Sequence, residues 1–263
     1  MKHKRSKPYR IRKKKSLLKK KGFLITIFLF VIFLNAVYFL FFSQIFNIKN
    51  IVISGNERVK KEEILSVVAS NLSKRFLLFQ TKSIFLADIS SIYKSIHKNF
   101  LKVSDIKISR KLPDTIVISL SERTAISLFC QNDKCFSLDK QGVIFEENNL
   151  LRGLLKIVDK RGGKEFGLGE AALSRNEIAG ILKFDETLKG DMKVFSLQYE
   201  ILQDRATVKT KDGFDIYFSL EKDISFQIDK LKALFEKYIP LENRINLQYI
   251  ELRFGNLANY KMK

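Results

Sequence analysis

IKNIVISGNERVKKEEILSVVASNL, residues 48–72, carries two hydrophobic periods back to back. Ile51 and Ile53 alternate around Val52, and Gly55-Asn56 closes the run, which reads as a strand ending in a turn. From Lys61 the period lengthens. Ile64, Val68 and Leu72 recur every fourth residue and Leu65 widens the stripe, the pattern of an amphipathic helix. Glu62 and Glu63 lie in its first turn, where the helix dipole favours negative charge. Val59 and Ile64 are spaced for a hydrophobic staple.

Outward toward the C-terminus, residues 76–85 are apolar but broken by Gln80-Thr81-Lys82, with no clear period. A second helix runs from about Asp88, a good cap, to Lys98, with Ile89, Ile92, Tyr93 and Ile96 on one face. Val103–Arg110 and Thr115–Leu120 then alternate as strands, with Pro113-Asp114 turning between them. The order between Ile48 and Glu122 is thus strand, helix, helix, strand, strand. Two helices on one face of a three-stranded sheet bury both apolar stripes. That order and spacing resembles a POTRA module.

Outward toward the N-terminus stands FLITIFLFVIFLNAVYFLFF, Phe23–Phe42, with no charge in it. About 20 helical residues at 1.5 Å each cross a hydrocarbon core of roughly 30 Å. Between Met1 and Lys21 there are twelve Lys and Arg and no acid; the first carboxylate is Glu57. Cations close to a span stay on the cytoplasmic side. The expectation is a basic cytoplasmic tail (1–21), one transmembrane helix (22–46) and the remainder extracytoplasmic. A cleaved signal peptide is the competing reading. It is disfavoured because the apolar core is too long and Ser43-Gln44-Ile45-Phe46-Asn47 offers no small-residue cleavage pattern.

The formal net charge of +20 invites a nucleic-acid reading. Twelve of the 48 Lys and Arg sit in the tail, however, and the rest exceed the 28 acids by only eight and are dispersed. No nucleic-acid partner is expected. The two cysteines, Cys130 and Cys135, cannot form a four-ligand metal site alone, and no His lies near them. Neither metal nor cofactor is expected. Either a disulfide across a small hairpin or two buried thiols fits their spacing on the outer side of a membrane.

From Glu122 onward the chain reads as β-rich. Thr124–Phe129 and Cys135–Leu138 flank Gln131-Asn132-Asp133-Lys134 as a hairpin, which sets the cysteines opposite each other. Asp139-Lys140-Gln141-Gly142 is a turn, Val143–Phe145 and Leu154–Val158 are strands, and the glycines between Gly162 and Gly169 mark a mobile surface loop. A helix is expected over Arg175–Leu188. Strands follow over Val194–Leu202, Ala206–Lys211 and Phe214–Leu220, the last two joined by Asp212-Gly213. Ile224–Tyr238 is a helix stopped by Pro240; Leu247–Phe254 and Leu257–Met262 are final strands. The fold class expected is α+β: a membrane helix, a β-α-α-β-β POTRA domain (47–122), and a domain of antiparallel strands with two helices (123–263).

Four segments resemble the FtsQ/DivIB family of bitopic bacterial cell-division proteins. They are IKNIVISGNERVKKEEIL (48–65), ISRKLPDTIVISLSER (108–123), CFSLDKQGVIF (135–145) and YIELRFGN (249–256). Departures are Glu251 for the usual Asp, Ala125 for a frequent Pro, Ser219-Leu220 for Leu-Gly, and Lys60 at a capping position. The resemblance implies a scaffold, not an enzyme, at the division septum of the cytoplasmic membrane. It implies strand addition by an FtsB/FtsL pair, with contacts at Tyr249, Arg253, Phe254, Leu257 and Tyr260. A late strand that finishes a sheet leaves backbone groups free for such a partner. The alternative is another POTRA-bearing membrane assembly or secretion component.

Enzyme signatures are sparse. Only His3 and His97 occur, and there is no H-E-x-x-H, G-x-S-x-G or P-loop run. Ser91-x-x-Lys94 and Ser95-x-x-Lys98 match S-x-x-K, but a Ser–Lys nucleophile needs a desolvated Lys. Both Lys residues fall opposite the Ile89/Ile92/Ile96 face, toward water.

Overall fold

The computed structural model describes residues 21–72, 82–148, 153–203 and 205–263. Nearly all of the basic tail and most of the 76–85 stretch lie outside the described residues. Helix α1 is Lys21–Phe42, and not one of its residues is buried. Its 22 residues span about 33 Å, enough to cross a membrane. A short 3-10 turn, Gln44–Phe46, follows, capped by Ser43, whose hydroxyl accepts from the Ile45 N–H at 3.3 Å.

By contact density the chain divides into two units. One comprises the chain up to Ser54 with Glu62–Ser95 and Lys107–Ser119; the other comprises Gly55–Lys61, Ile96–Ile106 and Leu120–Lys263.

The first sheet has the order β1-β3-β2, from β1 (Asn50–Ser54), β2 (Val103–Lys111) and β3 (Thr115–Glu122). Between β1 and β2 come α2 (Lys61–Leu72) and α3 (Ile89–Asn99). β1 runs parallel to β3, from Asn50 beside Thr115 to Ser54 beside Ser119; α2, α3 and the edge strand β2 all lie between them in sequence. The apolar stripes are buried as their spacing requires: Ile64 and Val68 on α2, Ile92 and Ile96 on α3. The two helices also meet through Asn71, whose Oδ1 accepts from Ser91 and Ser95 at 3.2 and 3.1 Å.

The second sheet has nine strands. They are β4 (Ser127–Gln131), β5 (Lys134–Leu138), β6 (Ile144–Glu147), β7 (Leu155–Asp159), β8 (Ser196–Ile201), β9 (Ala206–Thr210), β10 (Asp215–Phe218), β11 (Leu247–Glu251) and β12 (Asn259–Met262). Their spatial order is β12-β11-β10-β9-β8-β7-β4-β5-β6. Helices α4 (Arg175–Gly190) and α5 (Ile224–Lys237) supply Ile181, Phe184, Leu231 and Leu234 to a core that also takes Tyr199, Phe218, Ile250 and Leu252. Ser174 and Glu177 form a reciprocal capping box on α4, and Asp223 caps α5.

The expectation of antiparallel strands is corrected for three pairs. β4–β7, β7–β8 and β10–β11 are parallel. Helix α4 lies between β7 and β8, and α5 between β10 and β11; a helical crossover returns the chain in the same direction. Tight turns give antiparallel pairs, as at β4–β5, where Asn132 and Asp133 both take positive φ. Across that hairpin Cys130 stands opposite Cys135, and the two sulfurs are bonded. The glycine-rich loop makes contacts through Phe166. Phe166 packs edge-on to Phe129, and its backbone exchanges hydrogen bonds with the Gln131 side chain at 2.8 and 3.2 Å.

Candidate partner-binding site at the sheet edge

β12 is the border of the nine-stranded sheet. It pairs with β11 on one side, and all four of its residues are exposed. The border exists because Gly255 (φ +56) and the turn around it fold Asn259–Met262 back on β11. A strand bonded on one side presents free N–H and C=O groups in a row along the other.

The five residues carried over from the resemblance gather around this border, on two faces of the sheet. Tyr260 pairs with Ile250, which is core, and so lies on the α5 face. With Leu257, Tyr238, Leu234 and Ala233 it lines a cavity of ≈ 310 Å³ between α5 and the border. Leu257 is 76% exposed, an apolar side chain held in water. Tyr249 lies on the opposite face, half-buried against Tyr217 at 5.5 Å between ring centroids. Phe254 is exposed at the turn, with the Arg253 guanidinium 4.7 Å from its ring centroid. Arg253 is already engaged: its Nε and Nη2 donate to Glu251 at 2.9 and 2.8 Å. Glu251 also accepts from the Arg253 N–H at 3.0 Å, so this carboxylate fixes the turn's first bend.

Two lysines that the sequence reading did not single out clamp the turn from the helix side. Lys230 on α5 donates to the Leu252 carbonyl and to those of Gly255 at 3.2 Å and Phe254 at 3.5 Å. Lys222 donates to the Arg253 carbonyl at 2.8 Å. Burial, then the charge of Lys222, pushes the Lys230 pKa down; Glu251 pulls the other way. The signal was present: Lys230 falls within the buried face of α5, beside Leu231 and Leu234. A cation inside a helix's buried stripe is expensive unless it has partners, and here the partners are carbonyls.

Residues 46–123 match the family model described as POTRA domain, FtsQ-type. A cell division protein DivIB of Clostridium tetani is 27% identical over 134 residues, 51% of this chain and 47% of that protein. The match thus spans about half of that relative's length. A cell division protein FtsQ of Rickettsia felis is 26% identical over 204 residues, 73% of each chain. A DivIB of Clostridium acetobutylicum is 29% identical over 217 residues, 78% of this chain and 82% of that protein. Residues 46–123 are an FtsQ-type POTRA domain, and the chain as a whole is similar to the FtsQ and DivIB cell division proteins.

At the end of the FtsQ-type POTRA match the Glu122-Arg123 pair is a structural knot. The Glu122 carboxylate accepts from three consecutive backbone N–H groups, Glu57, Arg58 and Val59, at 2.8 to 2.9 Å. Burial alone raises its pKa, but these N–H bonds and the Arg58 side chain outweigh it, and the net shift is downward. Arg123 donates to the Leu101 carbonyl at 3.0 Å and pairs with the buried Asp139 carboxylate. The other oxygen of Asp139 accepts from the N–H groups of Gln141 and Val143, both at 2.9 Å, and so shapes the Asp139–Gly142 turn. Gly142, at φ +81, ends that turn, and a Cβ there would stand 2.0 Å from the Leu173 carbonyl oxygen.

The S-x-x-K serines have a structural use. Both hydroxyls bond to Asn71, and Lys94 and Lys98 are exposed.

Proposed function

We propose that this chain is a membrane-anchored division scaffold that works by having its β12 border extended by a strand from an FtsB/FtsL-like partner. The carrying observation is the border itself: a fully exposed edge strand flanked by exposed Phe254, Leu257 and Tyr260, over a turn clamped by Lys230 and Lys222. Main-chain bonds supply affinity in such an addition, and side-chain pockets supply register. The cavity beside Leu257 and Tyr260 is such a pocket.

In this reading α1 crosses the cytoplasmic membrane once, at the septum. The basic tail stays inside, and both the POTRA module and the nine-stranded sheet stand outside. The excess of cations before α1 supports that orientation, as does a disulfide, which persists in oxidising compartments. The cell-division names of the relatives support the process. The role is one of recruitment, with no bond chemistry assigned to any residue.

The test is a pulldown and titration of full-length chain with the FtsB/FtsL-like pair from the same organism. Leu257→Asp is expected to weaken binding at least about tenfold, some 1.4 kcal/mol, while leaving the melting temperature unchanged, since Leu257 is exposed. Wild-type affinity in L257D contradicts the reading.

A further inference from the structure

Three segments of the first unit come together at the Phe42 end of α1. Residues 46–48 bond to the 82–84 segment, Ile48 N–H to the Lys82 carbonyl at 2.9 Å and Ile84 N–H to the Phe46 carbonyl at 2.8 Å. Lys49 N–H reaches the Asp114 carbonyl at 2.9 Å, which draws in the turn between β2 and β3. Arg110 Nη2 donates to the Ala87 carbonyl at 2.8 Å and ties that turn to the 82–87 segment. The start of β1 thus sits beside the β2–β3 turn, a few residues along the chain from the end of α1.

Rings continue the helix into this cluster. Phe85 stands 6.4 Å from Phe41, in the last turn of α1, and 5.2 Å from Phe46. Phe46 in turn stands 6.2 Å from Phe39, two residues or about 3 Å deeper in the helix. The uncharged stretch ending at Phe42 is about one hydrocarbon thickness long. A ring packed against Phe41 therefore lies at the acyl–headgroup boundary.

The exposed side chains of the cluster suit that boundary. Ile45 (52%), Phe85 (36%) and Leu112 (57%) are apolar and open. Lys49, Lys82 and Lys111 stand beside them, also exposed. The nearby acids are engaged: Asp114 is paired with Lys49 at 4.0 Å, and Asp88 accepts from the Ser91 N–H at 3.0 Å. Apolar side chains ringed by lysines are the composition of a lipid-interface surface.

We infer that this end of the POTRA module is a second membrane contact. Phe85 and Leu112 enter the headgroup–acyl boundary of the leaflet at the Phe42 end of α1, and the lysines around them face lipid phosphates. The occupant is lipid, because the patch is covalently and sterically continuous with the membrane helix. The module is then seated on the bilayer, not swung from a free tether.

The chain has no Trp, so single Trp substitutions report cleanly. Full-length Phe85→Trp, Leu112→Trp, Phe33→Trp and Ser119→Trp are reconstituted in phosphatidylcholine–phosphatidylglycerol vesicles, with and without brominated acyl chains. Phe33 lies inside the span. Ser119 lies four residues along β3 from Thr115, about 13 Å from the membrane end. Quenching at 33, 85 and 112 and none at 119 is expected. Leu112 is an exposed turn residue that tolerates Trp, so this arm does not depend on the packing of Phe85. Quenching at 33 with none at 85 or at 112 overturns the contact and leaves the span and the division reading intact. Equal quenching at 119 also overturns it, as indiscriminate adsorption.

Discussion

At the scale of single residues, Glu122 holds three N–H groups that no strand partner reaches. Its side chain is only 6% exposed, so these bonds take the place of most of its water contacts. Glu122→Gln removes the charge from them, and a loss of about 1–3 kcal/mol is expected in chemical denaturation. The pH sign follows from the downward shift. The folded carboxyl titrates below its ordinary 4.5, so its stabilisation is present above that value and is lost as pH falls through the folded pKa. Between about pH 5 and pH 3 the wild-type melting temperature should drop further than that of E122Q. Equal slopes would contradict this. Gly142→Ala meets a carbonyl oxygen at 2.0 Å in a left-handed backbone and should destabilise by at least about 2 kcal/mol, read by the same denaturation. The sequence named Glu122, Arg123 and Gly142 through motif shape, without their partners. Those partners are backbone atoms or lie distant in sequence, and neither kind leaves a periodic trace.

At the scale of elements, periodicity recovered nearly all that it governs. Lys61–Leu72 is the helix its four-residue spacing required. Asp212-Gly213 joins two antiparallel strands, as a hairpin dipeptide should. Strand direction was misread where a helix intervenes, at β7–β8 and β10–β11, although the intervening helix was itself the signal. The gathering of Tyr249 and Tyr260 at one border was readable, but their division between two faces was not. A register irregularity between Leu247 and Tyr249 shifts the alternation there, and local sequence gives no mark of it. The β4–β5 hairpin carries a prediction of its own. Its disulfide closes a loop of sequence separation 5, a short one, and reduction should lower stability by only about 2 kcal/mol on the chain-entropy account. Melting with and without dithiothreitol measures it; a loss of global folding would contradict so local a role.

At the scale of the whole molecule, charge, span and open border belong to one arrangement. The cations precede the long apolar helix, and among the described residues the sheet finishes in a strand, β12, that pairs on one side only. No cluster of three or more His, Cys, Asp or Glu side chains placed to hold a metal occurs among the described residues. The organised polar groups near the C-terminus, Lys230, Lys222 and the Arg253–Glu251 pair, all serve to hold a turn in place. A turn fixed this way holds β12 against β11. The most direct measurement is amide hydrogen exchange on the full-length chain in nanodiscs, with and without the FtsB/FtsL-like pair. The account predicts that exchange across residues 259–262 slows at least about tenfold in the complex, while β6 at the opposite border is unchanged. A stable complex in which 259–262 exchange as fast as in the free chain would contradict it.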